Sequence, residues 1–311
     1  MNSLEFYSHG KLLLSGEYLV LQGAQALALP LTLGQKMRVE MQPNSSFYFV
    51  WESYYQNACW FHATFNRQTL TIENSNDYDK AEFIKQLLIK AEHLNPGSVI
   101  DSSVIKITTT LEFHPNWGLG SSSSLIANIA SWTQTNPYTL LQLTLGGSGY
   151  DIACANASGP IVYALNDGIP LVTPLTYKPK FHNNLFFIYL GKKISSFESI
   201  SKFKQISNSY CNEIQRINEL TQQIIQAQTL MEFENGINMH EEIISTILNI
   251  VPIKAQLFTD FEGSIKSLGA WGGDFILVTS KQEKKSVQNY FKNKGLSTLF
   301  SFNEIVLKSK N

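Results

Sequence analysis

Gly118-Leu119-Gly120-Ser121-Ser122-Ser123-Ser124 places small residues and hydroxyls where a chain could receive an anion. Glycine permits positive φ and lets a ligand approach the main chain. A helix begun just beyond it offers unpaired N–H groups and the positive end of its dipole. Phosphate suits such a cradle; a glycine turn with a serine cap is the structural alternative. The spacing is not the Walker pattern, because no Lys-Ser/Thr follows, nor the dinucleotide fingerprint, because the third glycine is missing. A second candidate is Asp151, within Gly146-Gly147-Ser148-Gly149-Tyr150-Asp151-Ile152-Ala153-Cys154-Ala155. It is the one charged residue between Glu112 and Asp167, where the chain's 16% charge content would put about eight or nine. A stretch that keeps a single carboxylate points to a base or to the N-cap of the helix that follows. Lys11 and Glu17 are likewise the only charges between Glu5 and Lys36. In apolar surroundings they must either pair structurally or carry a task.

The elements that position these groups follow from periodicity. Val104 to Phe113 is β-branched and roughly alternating, as a strand should be, and Leu125 to Ala130 is an apolar run suited to a helix opened by Ser121–Ser124. Lys36 to Ile72, with turn signals at Pro43-Asn44-Ser45-Ser46 and Asn66-Arg67, reads as strands in hairpins. Its aromatics lack interleaved Lys or Arg, so sheet packing is preferred to a base-stacking surface. After a polar loop over 74–79, residues 79–93 set Phe83, Ile84, Leu87, Leu88 and Ala91 on one helical face. Prolines 170, 174 and 179 mark residues 168–182 as the expected domain junction. Beyond it, Leu185 to Leu190 is a compact strand that ends at Gly191-Lys192-Lys193. Ile206, Tyr210, Ile214, Ile217, Leu220 and Ile224 predict a long amphipathic helix, and Met231 to Leu248 one or two more, with His240 expected at the surface. Gly269-Ala270-Trp271-Gly272-Gly273-Asp274 then forms a glycine-rich turn before the strand Ile276–Thr279.

The 24 basic and 25 acidic residues balance, which implies no polyanion-binding surface and makes nucleic acid and anionic membrane poor partners. No apolar stretch reaches membrane-spanning length and the N-terminus has no leader-like pattern, so a cytoplasmic protein is expected. Cys59, Cys154 and Cys211 are odd in number and widely spaced, and read as buried thiols.

Pro115-Asn116-Trp117-Gly118-Leu119-Gly120-Ser121-Ser122 resembles the central motif of the GHMP kinases, the family of galactokinase, homoserine kinase, mevalonate kinase and phosphomevalonate kinase. Gly10-Lys11 leading to Gly16-Glu17-Tyr18 resembles the first motif of that family, and Gly269 to Gly273 the third, with Trp271 in place of a glycine. Gly149 to Ala153 is similar to the Gly-Tyr-Asp-Ile-Ala stretch of one branch. The resemblance implies an α+β fold of two domains: residues 1–175, like ribosomal protein S5 domain 2, and 176–311, ferredoxin-like, with the site in the cleft. It also implies ATP and Mg²⁺ as cofactors. Pro115, Gly118, Leu119, Gly120, Ser121, Ser122 and Ser123 would bind ATP, with Ser122 as a magnesium ligand. Asp151 and Lys11 would be catalytic. Glu17, Lys192, Lys193, Gly269, Ala270, Gly272 and Gly273 would lie on the acceptor side. Mevalonate kinases carry a magnesium-binding glutamate after the central motif, yet residues 116–150 hold no acid here. That departure, Glu17-Tyr18 and Gly273-Asp274 lean towards phosphomevalonate as acceptor, with mevalonate the alternative. A diphosphomevalonate-type decarboxylase and a non-catalytic ligand-binding relative are further alternatives. A monomer or a homodimer acting on a small molecule is expected.

Overall fold

A computed structural model describes residues 2–42, 47–192, 199, 201, 203, 210–271 and 273–309. The chain forms two compact units, and each draws on separated segments. The first holds Met1–Gly10, Leu33–Pro115 and Leu119–Asn156; the second holds Lys11–Thr32, Asn116–Gly118 and Ala157–Asn311.

In the first unit, β1 (Asn2–Leu13) pairs with β2 (Ala26–Met41). β3 (Tyr48–Tyr55), β4 (Ala58–Asn66) and β5 (Ile72–Ser75) follow, then α1 (Tyr78–Leu94) and β6 (Val104–Leu111). The strand order is β5-β4-β3-β6-β2, with β3 parallel to β6 and the other pairs antiparallel. Gln56 and Asn57 join β3 to β4 with φ of 47° and 65°, the two left-handed positions a two-residue hairpin of matching twist demands. Alternation turns Phe49 and Trp51 inward from β3 and Phe61 and Phe65 inward from β4, and Phe49 stacks on its cross-strand partner Phe65 at 5.3 Å. These four aromatics are therefore core, as their lack of basic neighbours indicates, while Phe47 and Tyr48 are exposed. Asp77 caps α1, whose Ile84, Leu87, Leu88 and Ala91 close over the sheet. α2 (Ser121–Thr133), α3 (Pro137–Gln142) and α4 (Tyr150–Asn156) complete this unit.

In the second unit, residues Ala26–Ala28 of β2 pair with β7 (Ile161–Asn166), and β7 pairs with β8 (Ile169–Pro174). The proline-marked stretch thus begins as a strand, and β8 lies at a sheet edge, where proline costs no ladder bond. β9 (Leu185–Tyr189) leads to α5 (Cys211–Gln226), α6 (Leu230–Leu248) and α7 (Ile253–Leu257). β10 (Ile265–Ser267), β11 (Phe275–Thr279), α8 (Lys284–Asn293), β12 (Leu299–Ser301) and α9 (Phe302–Ile305) follow. The antiparallel order β10-β11-β9-β12 with this succession of helices is the ferredoxin-like arrangement.

Met231 to Leu248 lies in one helix, α6, the simpler of the two expectations, opened by a Thr229–Glu232 capping box. The preceding helix starts at Cys211; Ile206 lies outside the described residues. Cys59 and Cys211 are exposed thiols, and only Cys154 is buried.

Candidate active site

β6 hands the chain to α2 through the cradle loop. Gly118 and Gly120 have φ of 69° and 96°, and Gly120 is the N-cap of α2. No side chain caps this helix and its first turn holds no acid. The serines, caps in the structural alternative, turn the other way: Ser123 Oγ donates to the Gly120 carbonyl (3.1 Å) and Ser124 Oγ to Gln35 Oε1 (2.9 Å). The first-turn N–H groups are thereby left without a side-chain acceptor, the condition under which a helix N-terminus attracts an anion. Ser122, the expected magnesium ligand, is exposed, whereas Leu119 is buried. Asn128 locks the helix in place, donating to the Gln35 carbonyl (2.9 Å) and accepting from Ser8 Oγ (2.9 Å). A Cβ at Gly10 would stand 2.9 Å from the Leu119 carbonyl oxygen, so glycine there lets β1 lie against the cradle.

Asp151 sits in the first turn of α4, one residue inside the helix rather than at its cap. Its Oδ1 accepts the N–H of Ile152 at 3.0 Å. Ile152 packs with Ile126, Ile129 and Ala130 of α2, so the cradle helix and the Asp151 helix are neighbours within one unit. Burial, followed by the charges of Cys154 and Asp151, pushes the Tyr138 hydroxyl above its usual range.

In the second unit, Asn116, Trp117 and Gly118 are gripped from several sides. Tyr189 donates to the Asn116 carbonyl (2.9 Å), and the Trp117 ring lies among Tyr189, Phe275 and Phe300 at 6.2, 6.2 and 5.5 Å. Lys11 Nζ donates to the Gly118 carbonyl at 3.0 Å. The Asp274 carboxylate rests on Gly118 so closely that a Cβ would overlap it. The Asp274 N–H in turn donates to the Lys192 carbonyl (2.7 Å), while the Lys192 side chain is exposed. Lys11, Gly118, Lys192 and the Gly273-Asp274 step therefore converge. Gly269 has φ of 64° and Ala270 is buried; Lys193 and Gly272 lie outside the described residues. Trp271 packs into an apolar cluster with Leu19, Phe203, Tyr210 and Ile244, and its backbone N–H donates to the Tyr18 hydroxyl oxygen (3.3 Å).

Glu17 faces inward. It is 1% exposed and pairs with Lys266, not with Lys11. His240, expected at the surface, is 0% exposed, with Nε2 at 3.3 Å from Glu17 Oε2. Glu241 accepts the N–H and the hydroxyl of Ser267 beside them. Lys266, His240 and Glu241 are thus additions that motif reading missed, and the contact of Asp274 with Gly118 was not legible in the motif that contains it. Among the described residues no group of three or more His, Cys, Asp or Glu side chains could hold a metal ion, and no helix is long and apolar enough to cross a membrane.

No protein-family model and no curated protein sequence matches the chain. Solved structures do match it. The mevalonate kinase of Methanococcus jannaschii aligns with 100% of this chain and 99% of its own at 14% identity and a TM-score of 0.72. The Streptococcus pneumoniae phosphomevalonate kinase, in complex with phosphomevalonate and AMPPNP, aligns over 96% and 99% at 16% identity and a TM-score of 0.67. The galactokinase of Lactococcus lactis, with galactose, aligns over 100% and 94% at 12% identity and a TM-score of 0.66. The chain has the two-domain α+β fold of the GHMP kinases, in agreement with its motifs.

Proposed function

We propose that this protein is an ATP-dependent small-molecule kinase and that phosphomevalonate is its acceptor. The observation that carries this reading is the uncapped N-terminus of α2 behind two left-handed glycines, with Lys11 on the Gly118 carbonyl, in a chain folded like the mevalonate and phosphomevalonate kinases. Pro115 and Gly118 to Ser123 would hold the polyphosphate. Mg²⁺, when bound, would neutralise charge on the phosphate oxygens, with the exposed Ser122 hydroxyl as a ligand. An acceptor oxygen would attack the γ-phosphorus; the new P–O bond forms as the bond to the β–γ bridging oxygen breaks and ADP leaves, and Asp151 would accept or orient the proton of an acceptor oxygen that carries one. Lys11 would offset the negative charge that develops. Lys192, Lys193 and the Gly269–Gly273 segment would serve the acceptor, and Glu17 would act through the turn it anchors.

Support for phosphomevalonate comes from Glu17-Tyr18, Gly273-Asp274 and the acid-free interval 116–150. Mevalonate is the second reading, favoured by the fold match to a mevalonate kinase. Incubating the chain with ATP, Mg²⁺ and, in turn, phosphomevalonate, mevalonate, homoserine and galactose separates them. ADP should form fastest with phosphomevalonate. Exclusive use of mevalonate would move the assignment to the second reading, and no acceptor-dependent ADP with any of the four would overturn the proposal.

A further inference from the structure

The buried cluster around Glu17 has a composition that the proposed phosphotransfer does not by itself require. It brings two carboxyl groups, Glu17 and Glu241, one ammonium, Lys266, and one imidazole, His240, into a space where none is more than 3% exposed. Burial pushes both carboxyls up, Glu241 to about 7, and holds the imidazole well below its usual value. An interior this dry favours a neutral set: one ammonium, one carboxylate, one carboxylic acid and a neutral ring.

Hydrogen-bond geometry says which group keeps the proton. Glu241 accepts from Ser267 N–H at 3.1 and 3.2 Å and from Ser267 Oγ at 2.9 Å, bonds that favour its ionised form. His240 Nε2 accepts the N–H of Gly16 at 2.9 Å, so that nitrogen bears no hydrogen of its own. Yet Glu17 Oε2 lies 3.3 Å from the same nitrogen and has no other partner. That nitrogen has a single lone pair, already given to Gly16, so an ionised Oε2 beside it is repelled and a protonated Glu17, whose Oε1 accepts from Lys266 Nζ, is the form the site tolerates. The other ring nitrogen, Nδ1, is buried and unpartnered. An apolar side chain would avoid that desolvated N–H, so histidine at this position needs a reason, and its partners supply one.

Those partners form the turn Gly16-Glu17-Tyr18. Gly16 has φ of 85°, and Tyr18 has φ of 62° and ψ of −51°, a strained conformation for a bulky side chain. Resting on the kinase reading above, we propose that His240 is a positioning residue for the acceptor turn: its Nε2 takes the Gly16 N–H, with Glu17 packed against the same ring edge, and so fixes the strained backbone beside the first motif.

His240→Phe keeps the volume and removes the acceptor; His240→Gln keeps an acceptor oxygen. Hydrogen–deuterium exchange over residues 14–19, with KM for phosphomevalonate and for ATP, reads both variants. In His240→Phe the segment should exchange at least tenfold faster and KM for phosphomevalonate rise about tenfold while KM for ATP stays within about twofold. His240→Gln should restore both. Wild-type exchange in His240→Phe, or equal damage in both variants, overturns the proposal. Should His240→Phe fail to fold, Glu17→Gln decides, because its amide mimics the protonated acid: wild-type exchange and thermal midpoint support the assigned proton, and a collapse of either contradicts it. If the wild type turns over no acceptor, the kinase reading falls, while the exchange contrast still decides the role of His240.

Discussion

The carboxylate of Asp274 occupies the space that a Cβ on Gly118 would need, so the third glycine-rich segment abuts the Asn116–Gly118 loop. Gly118 has φ of 69°, and a side chain there meets both an unfavourable backbone and that carboxylate. Gly118→Ala should lower the thermal midpoint and weaken AMPPNP binding measured by calorimetry. Adding Asp274→Ala should relieve the overlap but not the left-handed strain, of about 1–2 kcal/mol. The double variant should recover part of the loss; no recovery would mean that Asp274 does not constrain the loop.

Asp151 offers a test of base against cap. It occupies the first turn of α4 and accepts the Ile152 N–H, a bond an asparagine can also accept. Asp151→Asn should therefore keep the fold and the nucleotide affinity and lose about 10²–10⁴-fold in kcat. A variant with near-normal kcat would leave Asp151 a purely structural residue.

A phosphorylated acceptor needs cations. Lys192 presents an exposed side chain, while its carbonyl holds the Asp274 N–H, a bond that truncation of the side chain leaves alone. Replacing Lys192 and Lys193 by Ala should raise KM for phosphomevalonate roughly tenfold or more, with KM for ATP within about twofold, as expected for lost charge-assisted bonds. Equal effects on both substrates would remove these lysines from the acceptor side.

Glu241 gives the chain a pH signature. Its carboxyl, raised to about 7 by burial, binds a proton more tightly folded than unfolded. Its contribution is therefore fully present below the ordinary carboxylate value and is lost as pH rises towards 7. Comparison with Glu241→Gln isolates it from His240, whose depressed value acts in the opposite direction. Glu241→Gln should gain stability relative to wild type between pH 5 and pH 8 in denaturant titrations; a constant difference would contradict the raised carboxyl.

Local patterns carried much of this architecture. The strand-loop-helix around Gly118 and Gly120, the α1 face and the inward aromatics of β3 and β4 all follow from spacing, because each is decided by residues close in sequence. Pairings across long separations were not visible: Lys266 meets Glu17 from 249 residues away. A signal for His240 existed nonetheless. Phe233, Ile237, His240 and Ile244 share one stripe of α6, and a histidine on an apolar stripe is buried whatever its polarity. The direction of the serine hydroxyls could not be read from type alone, since serine caps a helix or bonds back to a carbonyl with equal chemistry.

The most direct measurement follows the terminal phosphoryl group. With γ-³²P-ATP, Mg²⁺ and phosphomevalonate, the label should pass into the acceptor one for one with ADP, without release of carbon dioxide, and Asp151→Asn should slow that transfer. Label that stays in ATP, or that appears only as inorganic phosphate, would contradict phosphoryl transfer at this cradle.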